Sequence, residues 1–180
     1  MHGTIFFELK KYVEAKLGGP EAWDKLLSES ELGARTYEVM ADYPDKEVLK
    51  LISTVSRITG TQVPAILEDF GEFIAPDLLR MYSGVVDPAW KTLDVIEHTE
   101  DQIHRVVRLH NRDAHPPNLQ CVRTSEDEVV IHYNSPRKMC DVAKGIAKGL
   151  AKHFEESISI SESRCMNKGD SICLIQIRRN

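Results

Sequence analysis

The double proline at positions 116 and 117 separates two kinds of hydrophobic periodicity in this sequence. Before it, from about residue 3 to residue 110, apolar residues recur at helical spacing, as at Ile5, Leu9 and Leu17. After it, apolar and polar residues alternate in two predicted β-hairpins, NLQCVRT with EVVIHY and SISISESRC with SICLIQIRR, around one further helix. This change of period predicts an α+β fold. In this fold we expect a helical N-terminal subdomain to pack on a C-terminal αβ subdomain with a mainly antiparallel four-stranded sheet.

Charge and the opening segment argue against several classes of protein. The net charge of −5 disfavours nucleic-acid binding. The opening MHGTIFFELKKYVEAKLGG carries charges every few residues and lacks the cleavage pattern of a signal peptide. No apolar run has membrane-spanning length, so we expect no direct membrane insertion. Four cysteines without a secretion signal favour reduced thiols or metal ligands in a cytoplasmic protein over a disulfide frame.

The segment QIHRVVRLHNRDAHPP, residues 102–117, contains three of the seven histidines. On a predicted α-helix from about Glu100 to Leu109, His104 lies on the apolar face. His98 and His110 are each six positions away and face elsewhere, so the three cannot chelate one small ion together. A lone imidazole facing an apolar cavity suits the axial position of a haem iron. The alternative is a core histidine that is hydrogen-bonded to a backbone carbonyl.

A second cluster of polar residues lies where a predicted strand leads into a helix. Tyr133, Ser135 and Arg137 occupy alternate positions and therefore project to one side of an extended segment. Two hydroxyl groups and a guanidinium suit a pair of carboxylates, such as the two propionates of haem. The alternative is a strand-edge cluster that makes surface salt bridges.

Together these features resemble the H-NOX family, the haem nitric oxide/oxygen-binding domains that also form the sensor part of soluble guanylate cyclases. The resemblance covers essentially the whole chain and rests on Met1, Gly3 and Ile5, the segment DFGEF at 69–73, His104, Pro117, Tyr133, Ser135 and Arg137. It implies one domain over residues 1–180. Haem b would lie between a distal helical subdomain (1–64) and a proximal αβ subdomain (65–180).

The resemblance also implies a role for each motif residue. His104 would be the proximal ligand of the haem iron, and Pro117 would press on the porphyrin and hold it non-planar. Tyr133, Ser135 and Arg137 would grip the propionates. His110 and His115 have no role in the family, and we interpret them as solvated residues.

The choice of gas follows from the distal pocket that the resemblance implies. Family members that bind oxygen stably carry a tyrosine five positions after the arginine, where this chain has Val142. The remaining distal positions are also apolar: Ile5, Leu9, Ile74, Leu78 and Ile146. Bound oxygen gains from a hydrogen-bond donor that nitric oxide and carbon monoxide need far less. We therefore expect ferrous haem that binds nitric oxide and carbon monoxide and excludes oxygen, although the hydroxyl of Tyr12 could still reach the pocket.

The family mechanism implies a sensor and no enzyme. Nitric oxide weakens the bond between iron and His104, and the two subdomains then shift relative to one another. Standalone bacterial members of this length regulate a separate histidine kinase or a cyclic-di-GMP enzyme, either a diguanylate cyclase or a phosphodiesterase. Nothing in these 180 residues resembles such an output domain, so we expect the partner to be another chain.

Three cysteines form a candidate zinc site. Cys165 and Cys173 flank a predicted hairpin turn, and Cys140 near the start of the preceding helix could be a third ligand. Some H-NOX proteins resemble this arrangement and bind structural zinc with three cysteines and a histidine. This chain has Glu162 at the position of that histidine, so the fourth ligand is in doubt. The alternative is three thiols without a metal. Cys121, on the first strand, is interpreted as a small core residue.

Two other functions fit parts of the sequence. The G-D-x-x-C hairpin also resembles haem-free small-ligand domains of the vinyl-reductase type, in which zinc and an organic ligand would carry the function. A haem peroxidase is the other alternative, but the predicted distal face has no obvious histidine or arginine to assist O–O cleavage.

Overall fold

The computed structural model describes residues 1–111 and 114–180 and has the predicted α+β architecture. Its α-helices are α1 (Gly3–Leu17), α2 (Pro20–Glu29), α3 (Asp45–Thr59), α4 (Val63–Met81), α5 (Thr92–Glu97), α6 (Arg105–His110) and α7 (Cys140–His153). Its strands are β1 (Asn118–Ser125), β2 (Glu128–Asn134), β3 (Ile158–Arg164) and β4 (Cys173–Arg179). Among the described residues, no helix combines the length and hydrophobicity needed to cross a bilayer.

The helix ends follow the signals in the sequence. Gly60 adopts a left-handed conformation with φ of 71°, and its amide donates to the carbonyl of Ser56. This is the glycine cap that terminates helices without a steric cost to a side chain. Pro20 opens α2, where its missing N–H is not needed.

The four strands form one antiparallel sheet in the order β1-β2-β4-β3. Leu119 of β1 is opposite Tyr133 of β2, and Tyr133 is in turn opposite Cys173 of β4. One end of the sheet therefore aligns Leu119, two residues after the double proline, with the polar cluster and the cysteine cluster.

Two helical segments have features that the periodicity does not predict. α4 runs without a break to Met81 and accommodates Pro76 in its interior. The predicted α-helix around His104 is wrong in part. Thr99–His104 form a π-helical segment, which passes directly into α6. A π-helical turn is wider than an α-turn and is frequently found at functional sites.

Apolar side chains form two cores that meet at α4 and α7. The first core packs α1 to α4 around Phe6, Leu51 and Phe70. The second packs α5 and α7 against the sheet, with Ile131 and Ile175 fully or almost fully buried. The partly buried side chain of Ile146 on α7 contacts both cores. The boundary at residue 64 between two subdomains stays a prediction.

Glycines let α4 and α7 cross in close contact. A Cβ atom on Gly145 would lie 2.0 Å from the carbonyl oxygen of Glu68, and one on Gly71 would lie 2.3 Å from that of Val142. Neither position can accept a side chain unless the helices separate. Ion pairs of Lys148 with Glu68 and of Lys152 with Glu72 flank this crossing.

Candidate haem site and cysteine cluster

His104 is the last residue of the π-helical segment, and its side chain is 13% exposed. Its Nδ1 atom is 2.8 Å from Oε2 of Glu100. Pro117 lies beside the imidazole of His104. Burial lowers the pKa of His104 and outweighs the opposing effect of Glu100. The imidazole is therefore neutral at pH 7, the form in which histidine binds a metal.

The carboxylate of Glu100 makes further contacts. Its Oε1 atom accepts from Arg108 at 2.6 Å, and its Oε2 atom also accepts from the backbone amide of Leu119 at 3.2 Å. Burial raises the pKa of Glu100, but its hydrogen bonds to His104 and Arg108 lower it by more, so the net shift is downward. His104 and Arg108 therefore both reach this carboxylate.

Tyr133, Ser135 and Arg137 form a polar cluster at the end of β2. Tyr133 and Ser135 are buried, at 3% and 2% exposure. Burial raises the pKa of Tyr133 to about 12, so its hydroxyl stays protonated and can donate a hydrogen bond. Arg137 has a side chain that is 10% exposed. Its guanidinium donates to Asp45 at 3.3 Å and to the carbonyl of His115.

The six predicted distal residues all contribute to the first core. Leu9 and Ile74 are fully buried within it, and the other four pack against it as partly buried side chains: Ile5, Leu78, Val142 and Ile146. They come from α1, α4 and α7. None has a polar side chain, so this surface contributes no hydrogen-bond donor of its own.

Tyr12 uses its hydroxyl elsewhere. The phenol donates to Oδ2 of Asp69 on α4 at 2.8 Å, and Lys16 contacts the same carboxylate at 3.0 Å. Burial and the adjacent carboxylate raise the pKa of Tyr12. This hydrogen bond directs the hydroxyl of Tyr12 to the ion pair between Asp69 and Lys16.

Three cysteines and Glu162 form a compact cluster. The ligand atoms of Cys140, Glu162, Cys165 and Cys173 all lie within 4.8 Å of one another. The sulfurs of Cys140 and Cys165 are 3.8 Å apart, and all three thiols are free and buried. Tetrahedral zinc with Zn–S bonds of about 2.3 Å needs separations of this size.

Glu162 has one oxygen directed inward without a partner. Its Oε1 atom is buried and accepts no hydrogen bond from any residue that the structure describes. Its Oε2 atom is 3.7 Å from Lys144 and 3.7 Å from Lys168. An orphaned carboxylate oxygen beside three thiols is a donor set that zinc accepts. Cys121 is partly buried on β1 and is not a member of this group.

Two residues of the site were missed by sequence reasoning. Glu100 lies four positions before His104, and that spacing was a usable signal because side chains at i and i+4 are neighbours on a helix. Asp45, the partner of Arg137, is 92 residues away in the sequence, and no local pattern connects the two.

Comparison with known proteins identifies the fold family. A family model described as Haem-NO-binding (HNOB) matches residues 2–162. The chain belongs to this family. H-NOX domains are haem-based gas sensors that bind gases such as nitric oxide and carbon monoxide, and they are sensor domains rather than catalytic ones.

Solved H-NOX structures are similar to this domain over its whole length. An H-NOX protein from S. oneidensis in the Fe(II)NO ligation state is 26% identical, with 100% of this chain and 99% of that one covered and a TM-score of 0.92. The A71G mutant of an H-NOX protein from K. algicida, Fe(II) and unliganded, is also 26% identical. The match covers 100% of this chain and 97% of that one, with a TM-score of 0.88.

A curated relative is the soluble guanylate cyclase gcy-35 of Caenorhabditis elegans, which is 23% identical over 168 residues. That match covers 87% of this chain, whereas the chain spans only 23% of the length of the cyclase.

Proposed function

We propose that this H-NOX domain binds haem b between its two cores and senses nitric oxide and carbon monoxide while excluding oxygen. The observation that supports this most strongly is the neutral, nearly buried imidazole of His104, whose Nδ1 atom is held by Glu100. The Nε2 atom is then the one that would ligate iron. When bound, the haem supplies a ferrous iron that takes diatomic gases.

The polar residues present fit the remaining features of haem. The phenol of Tyr133, the hydroxyl of Ser135 and the guanidinium of Arg137 would hold the propionates through charge-assisted hydrogen bonds. Pro117, which lies beside the imidazole, would press on the porphyrin next to His104.

Exclusion of oxygen follows from the distal residues. Val142 stands where a tyrosine would donate, and Tyr12 is bonded to Asp69. A missing donor in a dry pocket costs bound oxygen about 1–3 kcal/mol, which is roughly one to two decades of affinity.

The proposed signal starts with the release of His104. Its π-helical segment is bonded through Glu100 to the amide of Leu119, so a movement of His104 would reach the first strand of the sheet. We further propose that a separate histidine kinase, or a diguanylate cyclase or phosphodiesterase, reads this change, as the resemblance to standalone bacterial members implies.

The test is His104→Gly, prepared with and without added imidazole. We expect the variant to lose haem or its gas response and to regain it with imidazole, and the wild-type Soret band to shift with nitric oxide but not with air. His110→Gly is the matched control, because His110 is exposed and bonds only to its own helix at Val106 among the contacts described. Haem retention that is independent of His104, or a colourless folded wild-type protein from haem-replete cells, would contradict the proposal and favour the haem-free alternative.

We also propose that Cys140, Cys165, Cys173 and Glu162 bind a structural zinc ion. The compact donor set and the unpartnered Glu162 oxygen support it. Such a site would join the start of α7 to the turn between β3 and β4 and so stabilise the segment that carries Arg137.

A further inference from the structure

The proximal side of the candidate site contains a carboxylate that the family motif does not include. Glu100 contacts three groups at once: Nδ1 of His104 at 2.8 Å, the guanidinium of Arg108 at 2.6 Å and the amide of Leu119 at 3.2 Å. Both of its oxygens are engaged, and its side chain is 28% exposed. Arg108 and Leu119 therefore fix the carboxylate in place by contacts that do not depend on His104.

A carboxylate on Nδ1 changes what the imidazole can do at Nε2. An anionic acceptor pulls on the Nδ1 proton more strongly than a neutral carbonyl, because charge-assisted hydrogen bonds are roughly twice as strong as neutral ones. The ring then gains electron density and becomes a more basic ligand at its other nitrogen. In haem proteins, hydrogen bonding of this kind to the axial ligand is one of the means by which the protein tunes the iron.

We propose that Glu100 is a positioning residue that strengthens the bond between His104 and the haem iron and so raises the threshold at which a gas releases His104. The inference rests on the proposed function, since it requires His104 to be the iron ligand. A stronger bond opposes the trans effect of nitric oxide, so Glu100 sets how much of the bound protein keeps His104 attached.

Arg108 gives the inference a second, opposite test. Its guanidinium partly neutralises the Glu100 carboxylate, so the carboxylate pulls less strongly on the Nδ1 proton of His104. Removal of Arg108 leaves the carboxylate in contact with both His104 and Leu119 but no longer neutralised. Glu100 thus makes the imidazole a stronger ligand, and Arg108 reduces this influence of Glu100.

The experiment compares Glu100→Gln with Asp101→Asn in the haem-loaded protein. Gln keeps the size of the side chain and an acceptor oxygen but removes the charge. Asp101→Asn removes the same charge from the adjacent residue, which is 60% exposed and contacts His98 instead of His104. The readouts are the iron–histidine stretching frequency by resonance Raman spectroscopy, the reduction potential, and the five-coordinate share of the nitric oxide complex.

For Glu100→Gln we expect a lower stretching frequency, a larger five-coordinate share and a higher reduction potential. Loss of an outer-sphere partner of a metal ligand typically changes the affinity for the metal by about tenfold. For a one-electron couple, a tenfold change in the equilibrium constant corresponds to a shift of about 60 mV in the reduction potential. Asp101→Asn should match the wild type. Arg108→Gln should shift the stretching frequency and the reduction potential in the direction opposite to Glu100→Gln. If Glu100→Gln does not fold, the shifts of Arg108→Gln alone test the inference.

The outcomes separate this inference from the proposed function. If His104→Gly loses haem but Glu100→Gln keeps the wild-type frequency and potential, Glu100 is only a structural ion-pair residue and the inference is wrong. A shift of Arg108→Gln in the same direction as Glu100→Gln would also overturn it. If haem binding does not depend on His104, the proposed function itself fails.

Discussion

The guanidinium of Arg137 lies 3.3 Å from the carboxylate of Asp45, the first residue of α3. The same carboxylate is 2.8 Å from the N-terminal ammonium of Met1. Burial raises the pKa of Asp45, but these two cations lower it by more, so the net shift is downward. Asp45 therefore binds Arg137, the cation that we propose for the propionates. The ion pair joins the start of α3 to the segment that follows β2.

Asp45→Asn tests whether this carboxylate competes with the propionates for Arg137. We expect the variant to bind haem more tightly, by up to about fivefold, because a partly exposed ion pair contributes no more than about 1 kcal/mol. The measurement is a haem titration of the haem-free protein. Asp24→Asn, an exposed carboxylate on α2, controls for the change in net charge. Weaker haem binding by Asp45→Asn would mean that Asp45 orients Arg137 instead of competing for it.

The stability of the haem-free protein should depend on pH through the same residue. A lowered pKa in the folded state means that the stabilising effect of Asp45 is complete above the unfolded pKa of about 3.9 and is lost as the pH falls through the folded value. Denaturation at pH 7 and near pH 3 should therefore differ less in Asp45→Asn than in the wild type. Equal pH dependence in the two proteins would show that the ion pair contributes no stability.

The contact between α4 and α7 should not tolerate a methyl group at Gly145. Gly145→Ala places a Cβ atom 2.0 Å from the carbonyl oxygen of Glu68, and the helices must move apart. Forced packing of this kind costs about 1–3 kcal/mol of unfolding free energy, measured by urea denaturation. Gly84→Ala is the control, because a Cβ at that position meets no atom within 4 Å among the described residues. If the two variants are equally stable, the crossing is looser than the structure indicates.

Metal analysis should find about one zinc ion per chain in protein prepared with zinc. Cys140→Ala should lose it, whereas Cys121→Ala should retain it, because Cys121 is outside the cluster. A metal present at about a thousand times its dissociation constant adds about 4 kcal/mol of stability, so a chelator should lower the melting temperature of the wild type and not of Cys140→Ala. Well-folded wild-type protein without zinc would end the proposal.

Much of the fold could be predicted because each element carries its own local signal. The hydrophobic periodicity changes at the double proline. In the hairpins, apolar and polar residues alternate strictly enough to predict which side chains lie on which face of the sheet. The π-helical turn before His104 could not be predicted, since no single residue there dictates it. Side-chain partners were the least accessible part. Arg137 meets Asp45 only after 92 residues of chain fold back, and Glu100 resembles an ordinary solvated helix carboxylate until Leu119 and Arg108 approach it.

Val142→Tyr should convert the gas preference if the missing distal donor excludes oxygen. Val142 on α7 packs against the first core beside Ile146, and a tyrosine at that position would bring a hydroxyl among aliphatic side chains. A new hydrogen bond to bound oxygen is expected to contribute about 1–3 kcal/mol, a gain of roughly ten- to hundredfold in affinity. Spectra of the ferrous protein under increasing oxygen measure the effect, and Val142→Phe controls for ring size without the hydroxyl. Equal oxygen binding by the tyrosine and phenylalanine variants would show that the exclusion depends on something other than a donor. The proximal bond at His104, which Glu100 strengthens in our proposal, would then be the next determinant to test.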